Sequence, residues 1–193
     1  DFSINYDTAR NLMNKLGAYI VRTSGGFKNN DTAWYSVICD SFLDISQMNT
    51  KNRTKLRYGL KNCRVERISP ETLAKTGYDV FGEAHKRYKN SGKIVISKND
   101  FKNRIISAVG FEDIIDYWGV YYQNKLIAYS ENFLYDQSEV NYSTTKFDPE
   151  YLRYRPSEAL FYKMNEYYLS ACKFRYVNDG YRSILHQSNI QNF

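Results

Sequence analysis

The stretch from Gln137 to Gly180 sets the narrowest limits on what this chain can fold into. Gln137 to Lys146 (QSEVNYSTTK) is rich in Val, Tyr and Thr, which suit a pleated, half-buried surface. It is bounded by Tyr135-Asp136 and Phe147-Asp148-Pro149. A basic loop follows, Glu150 to Pro156 (EYLRYRP), and Ser157 opens an amphipathic helix. Leu160, Phe161, Met164, Tyr168 and Ala171 recur on one face of it at helical spacing. A short strand is predicted at Phe174 to Val177, then a turn at Asn178-Asp179-Gly180. The order strand, arginine-bearing loop, helix, strand brings a helix N-terminus beside the end of a strand. Unpaired amides and the helix dipole make such a place a seat for an anion.

The rest of the chain reads as support for that unit. Asp1 to Leu16 is expected to be a helix with Ile4, Leu12 and Leu16 inward. Ala18 to Thr23 and Thr32 to Cys39 read as a hairpin across a turn-rich loop from Gly25-Gly26 through Asp31. Asn49 to Asn62 is a basic helix whose sparse apolar face is Leu56 and Leu60. It suits either a solvated helix lying over the domain edge or a phosphate contact through Arg53 and Arg57. Cys63 to Ile68 alternates as a short strand. A helical region starts at Pro70, is expected to break at Gly77, and resumes from Tyr78 to Tyr88. Lys98 to Val109 is a further helix, with Gly110 just past its end.

Asp116 to Tyr122, Leu126 to Leu134 and Gln137 to Lys146 then form a three-stranded meander, joined at Gln123-Asn124-Lys125 and at Asp136. Because the helix from Ser157 crosses over, the strand at Phe174 should run parallel to the third meander strand. Ser183 to Phe193 begins a last helix.

Composition narrows the partners. Hydrophobic residues make up 42% of the 193 and charged residues 25%, which describes a folded domain, not a disordered one. No apolar run approaches the roughly 18 residues that span a bilayer, and no secretory signal is visible. The chain starts at Asp1, so its natural start is expected upstream. A net charge of +6 favours an anionic partner, although it is spread out except at Lys51 to Arg67 and Arg153-Arg155. Cys39, Cys63 and Cys172 are unevenly spaced, with only His85 and His186 to assist them. Neither a metal site nor a disulfide framework is expected, and a reducing, cytoplasmic setting fits best. Cys172, near the end of an amphipathic helix, is expected in the core.

From Cys63 onward the elements read β-α-α-β-β-β-α-β-α, an order that resembles the GNAT superfamily of acyl-CoA-dependent N-acyltransferases. In that family the loop and helix after the third meander strand carry a Gln/Arg-x-x-Gly-x-Gly/Ala motif whose amides hold the cofactor's pyrophosphate. The corresponding residues are Arg153-Tyr154-Arg155-Pro156-Ser157-Glu158-Ala159. The surrounding text, DPEYLRYRPSEALFYKMNEYYL, is more similar to the Fem-like branch, where a Tyr-Arg-x-Tyr-x-Pro-Ser/Gly stretch precedes the helix. The helix RTKLRYGLKN and strand CRVERI resemble the region between the two GNAT-like halves of Fem-type transferases. On that resemblance residues 1–62 are a remnant of a first half and residues 63–193 the acyltransferase domain. The chain departs from the motif at Pro156, which lacks an amide proton, at Glu158 in the first helical turn, and at Gly180-Tyr181-Arg182.

The resemblance implies an α+β fold with a mixed sheet, in which the meander and the parallel strand form a V-shaped cleft. It also implies direct attack of an amine on a thioester, with acetyl-CoA or another acyl-CoA as co-substrate and no metal. The acceptor would be a small amine or amino sugar. Arg153, Arg155, Ser157 and Ala159 would hold the cofactor, and Asn141 and Ser143 the substrate. Glu139, or Glu131, would relay the amine proton, and Tyr181 would reprotonate the thiolate. Strand alternation places Glu139, Asn141, Ser143 and Thr145 on one face, and Val140 and Tyr142 on the other. Solvated strand carboxylates and a structural tyrosine are the plain alternatives. Two other functions stay open. One is a Fem-like transferase using aminoacyl-tRNA, with the basic helix as its RNA contact; the other is a non-catalytic binding module of GNAT shape. The closing C-terminal strands of the sheet are expected to be missing. The natural protein would then continue past Phe193, or a neighbouring copy, as in a homodimer, would cover the open edge near residue 174.

Overall fold

The computed structural model describes residues 5–17, 36–86, 96–136 and 138–181. The chain divides into two compact units, residues 1–35 and 36–193. The first contributes helix α1 (Tyr6–Leu16). Its start is set by Asn5, whose side chain accepts the Thr8 amide at 2.8 Å, and its end by Gly17 in the left-handed region. The expected strand at 18–23, its loop and the last helix, with His186, lie outside the described residues.

The second unit comprises, in chain order, β1 (Ser36–Cys39), α2 (Thr50–Asn62), β2 (Arg64–Ile68), α3 (Pro70–Lys86), α4 (Lys98–Ile106), β3 (Ile115–Tyr122), β4 (Lys125–Tyr135), β5 (Glu139–Phe147), α5 (Pro156–Asn165) and β6 (Tyr176–Tyr181). The strands form one mixed sheet in the order β1-β6-β5-β4-β3-β2. The expected meander is β3, β4 and β5, antiparallel throughout, and β6 lies parallel to β5. The β3–β4 turn has Gln123 and Asn124 both at positive φ, the backbone that a two-residue hairpin loop requires. Among the described residues no helix is long and apolar enough to cross a membrane.

Period-two alternation gives the sheet a core on each face. On β3, Tyr117 joins Leu73, Val80, Phe101, Ile105 and Tyr129 beneath α3 and α4. Its neighbour Trp118 joins Val140, Tyr142, Leu160, Met164 and Tyr168 beneath α5. Each such side chain contributes roughly 1.5–3 kcal/mol by leaving water. The second core carries a polar hub. The Tyr168 hydroxyl donates to Asp116 Oδ2 at 2.8 Å and accepts from Trp118 Nε1 at 2.8 Å and Asn132 Nδ2 at 3.2 Å. Arg67 donates to the other oxygen of Asp116 at 2.7 and 2.9 Å, so a carboxylate that is 5% exposed is fully engaged.

Four expectations are corrected. Helix α3 runs through Gly77 without a break. A Cβ there would stand 2.5 Å from Leu73 Cδ1 and 3.2 Å from Phe101 Cζ, so the glycine admits the Phe101 ring of α4. The helix from Ser157 does not stay regular. α5 passes into a π-helical turn at Glu166–Ala171, which keeps Tyr168 buried but rotates Ala171 into solvent and leaves Cys172 exposed. Asn178-Asp179-Gly180 is not a turn after a strand but the body of β6. Finally, the outer edge of β6 is not open: β1 pairs with it antiparallel, from Cys39 opposite Val177 to Ser36 opposite Tyr181. The start of the strand is therefore flanked on both sides by its own chain, at Val177 and Asn178, and β1 comes from the segment that precedes the basic helix.

Candidate active site

The site begins where two strands separate. β5 and β6 pair over three residues, Glu139 with Tyr176, Val140 with Val177 and Asn141 with Asn178. Beyond Asn141 and Asn178 the pairing stops, while β5 runs on to Phe147 and β6 to Tyr181. Each strand has a bulge at the fork. Against β4 the register steps from Asn132–Tyr142 to Glu131–Thr144, leaving Ser143 as the extra residue. Against β1 the residues Asp179 and Gly180 together oppose Val37, with Gly180 at φ 79° and its amide donating to the Asn178 side chain at 2.8 Å. Bulges bend and twist a strand, and here they lie on both arms of the V. The Ser143 bulge also resets the alternation expected from sequence. Paired residues share a face, so Thr144 joins Glu139 and Asn141, and Thr145 moves to the face of Tyr142.

A cavity of about 660 Å³ lies beside the fork on the α5 face of the sheet and touches it through Tyr142 and Asp179. The strands supply Tyr142, Val177 and Asp179; α5 supplies Glu158, Phe161, Tyr162 and Asn165. The segment after β1 adds Asp40, Phe42 and Leu43, and α2 adds Lys55 and Leu56. The size suits a small ligand. Rings build its walls: Phe42 and Tyr162 lie 5.2 Å apart between centroids, Tyr142 and Phe161 5.7 Å. Tyr142 donates to Asn165 Oδ1 at 2.8 Å, which ties β5 to α5 across the floor, and burial raises its phenol far above the ordinary range. Burial also pushes the Asp179 carboxyl up, to about 7.

Of the sequence candidates, Glu139 sits at the closed end of the V and accepts from Asn178 Nδ2 at 3.0 Å. Asn141 is the last residue of the paired register, and Ser143 is exposed at the bulge. Tyr181 ends β6 opposite Ser36. Glu131 is not a solvated carboxylate: it is 4% exposed and paired with Arg104 at 2.9 Å on the opposite face. The 3₁₀ turn Pro149–Tyr154 carries Arg153, whose guanidinium donates to the Tyr154 hydroxyl at 3.0 Å. Arg155, at φ 59°, turns the chain into α5. Its Nη1 donates to Glu158 at 3.2 Å, and the Ser157 hydroxyl donates to the same carboxylate at 2.9 Å. Ala159 is fully buried, its amide bonded to the Arg155 carbonyl at 3.3 Å. Among the described residues no group of His, Cys, Asp and Glu could hold a metal ion.

Sequence reasoning missed the acidic and aromatic walls. Asp179 was hidden in a triplet with turn chemistry, and Asp40 and Phe42 belong to a segment without periodicity. The basic helix α2 is more than a solvated cover: Leu56 and Gly59 are buried, and Gly59 abuts the Arg155 carbonyl and Ala159.

No family model matches the chain, and no curated protein matches it significantly in sequence. Solved structures do. FemX superposes with a TM-score of 0.60 at 12% identity, over 92% of this chain and 61% of FemX. The C-terminal domain of a putative lysylphosphatidylglycerol synthetase from Agrobacterium fabrum follows at 0.52 and 11%, over 76% of this chain and 48% of that one. The chain has the GNAT fold, with FemX among its structural neighbours. The N-acetyltransferase PaiA from Thermoplasma acidophilum, in complex with coenzyme A, scores 0.46 at 16% identity over 56% of this chain and 73% of its own. Identities this low speak for the fold alone, and the chain spans about three fifths of FemX. In GNAT terms β5 and β6 are the splayed pair, and α5 is the helix whose N-terminus stands beside the fork.

Proposed function

We propose that the chain carries an N-acyltransferase domain, in which an amine attacks an activated acyl group between the arms of β5 and β6. The observation that carries this reading is the fork itself. Parallel pairing ends after Asn141 and Asn178, a cavity of about 660 Å³ borders that point through Tyr142 and Asp179, and the first turn of α5 borders the cavity through Glu158. An enzyme of this kind needs no nucleophile of its own, since holding amine and carbonyl in attack geometry supplies most of the acceleration.

Acyl-CoA is the donor that the donor set around α5 supports. When bound, it supplies a thioester whose carbonyl carbon bonds to the amine as the carbon–sulfur bond breaks. The guanidinium groups of Arg153 and Arg155 and the Ser157 hydroxyl would hold its phosphates, together with the amides of Ser157 and Glu158, which have no partner inside the helix. Glu158 competes for two of those groups, at 3.2 and 2.9 Å. The alternative donor, aminoacyl-tRNA, is favoured by one feature: α2 exposes Lys51, Arg57, Tyr58 and Lys61, a basic and aromatic surface suited to RNA.

The test is product formation. The chain is incubated with acetyl-CoA and a panel of primary amines, and acetylated amine is followed by mass spectrometry. Transfer above the uncatalysed rate, abolished by widening the fork with Val140→Gly, supports the reading. Absence of transfer from acetyl-CoA, with transfer from aminoacyl-tRNA, moves the donor to the second reading. Absence of both leaves a binding module.

A further inference from the structure

The cavity is charged in a way that the fold does not require. Carboxylates reach it from three separate elements: Asp40 after β1, Glu158 on α5 and Asp179 on β6. Lys55 of α2 is the opposing cation in the wall, and Glu158 is engaged by Arg155 and Ser157. Ser41, Asn52 and Asn165 add neutral polar groups, and the larger part of the remaining wall is apolar and aromatic, from Phe42, Leu43, Phe161, Tyr162 and Val177. A polyphosphate would be repelled here by the carboxylates. A protonated amine carried on an apolar body satisfies both halves, its charge against the carboxylates and its body against the rings.

We propose that this cavity is the acceptor site and that it selects a primary ammonium on an apolar, ring-sized body, with Asp179 as the ion-pair partner that takes its proton. The inference rests on the acyl-transfer reading and names the class of acceptor for it. The proton step is a simple exchange. The ammonium loses one proton to the Asp179 carboxylate, which frees the nitrogen lone pair for attack; as the carbon–sulfur bond breaks, the nitrogen's second proton goes to the departing thiolate, and the carboxylic acid returns the first to water. Asp179 lies on the arm of the V that has left β5, one residue past the last pair, and lines the cavity there. Burial lifts it to about 7, near where a proton acceptor works best in neutral solution. The groups that line the cavity with it are Cys39, Asp40, Lys55, Tyr142, Glu158 and Tyr162.

Calorimetric titration without any acyl donor tests the site. The probes are phenethylamine, its neutral isostere 2-phenylethanol, and glucosamine, which has the charge but a polar body. At pH 8 phenethylamine should bind at least tenfold more tightly than either. Asp179→Asn should remove most of the preference for amine over alcohol, while Asp40→Asn should reduce it less. Wild-type affinity for phenethylamine should fall at least fivefold between pH 8 and 5.5, a readout that needs no variant to fold. Equal binding of the alcohol, a preference that survives Asp179→Asn, or tighter binding of glucosamine overturns the proposal. Because no donor is present, amine binding without acyl transfer would sink the transfer reading alone. Transfer to other amines with no phenethylamine binding would sink this inference alone.

Discussion

The carbonyl oxygen of Arg155 stands so close to Gly59 that a Cβ built on that glycine would lie 2.7 Å from it. Arg155 is in the left-handed region at φ 59°, a conformation that costs an L-residue roughly 1–2 kcal/mol unless its surroundings hold it. Helix α2 does so, and thereby fixes the angle at which the arginine-bearing turn enters α5. The obstruction is backbone, so Gly59→Ala cannot be absorbed by a rotamer change. It should destabilise the domain by about 1–3 kcal/mol in urea unfolding. A variant as stable as the wild type would mean that α2 does not clamp the loop.

The Tyr168 hydroxyl is the meeting point of Asp116, Trp118 and Asn132. Tyr168→Phe keeps the ring and its packing but leaves two buried donors and a carboxylate oxygen short of a partner. The expected loss is about 1–3 kcal/mol, with far-ultraviolet circular dichroism unchanged. Trp118→Phe should cost less in the Tyr168→Phe background than alone, because the shared bond is already gone. Strict additivity would show that the hub is not a network.

The sheet was legible because its signals are local. Alternating Val and Tyr on β5, a two-residue turn after Tyr122 and a helical face at Leu160, Met164 and Tyr168 each state their own element. What stayed hidden depends on neighbours distant in sequence. Gly77 reads as a helix breaker until Phe101 of α4 is found against it. Asn178-Asp179-Gly180 carries turn chemistry, and the structure uses it for a bulge inside a strand pinned by β1. Strict alternation along β5 failed at Ser143, because a bulge depends on the partner strand's register as well as on its own residues. The arginines of the loop before α5 could be picked out. That a carboxylate three residues on would bind one of them could not.

Asp179 makes stability depend on pH in a definite direction. Burial raises its pKa from 3.8 to about 7 in the folded chain. Between those values the folded form holds a proton that the unfolded form has lost, so stability from this group is greatest at low pH and is lost as pH rises to about 7. The full shift would be worth about 4 kcal/mol; water entering from the cavity should screen it to ~1–2 kcal/mol. Asp179→Asn cannot titrate, so the stability difference between variant and wild type should grow in the variant's favour from pH 4 to 7 and level off above. A constant difference across that range would show that Asp179 is solvated as an ordinary carboxylate.

Glu158 accepts from both Arg155 and Ser157, the groups that would otherwise face a phosphate. If the first turn of α5 is the seat of an acyl-CoA pyrophosphate, Glu158→Gln should release them and remove a like charge. Acetyl-CoA should then bind more tightly by about 1 kcal/mol in calorimetric titration. Arg155→Ala and Arg153→Ala should each weaken binding by roughly 1–3 kcal/mol, the range for hydrogen bonds to charged groups, and added salt should weaken the wild type. Pro156→Gly restores an amide donor and should leave affinity equal or higher. Arg53→Ala and Arg57→Ala should not change acetyl-CoA binding, but should weaken binding of tRNA if α2 is an RNA contact. Should Glu158→Gln bind acetyl-CoA no better and Arg155→Ala no worse, the donor's phosphates do not dock at α5. Aminoacyl-tRNA would then be the donor to test first.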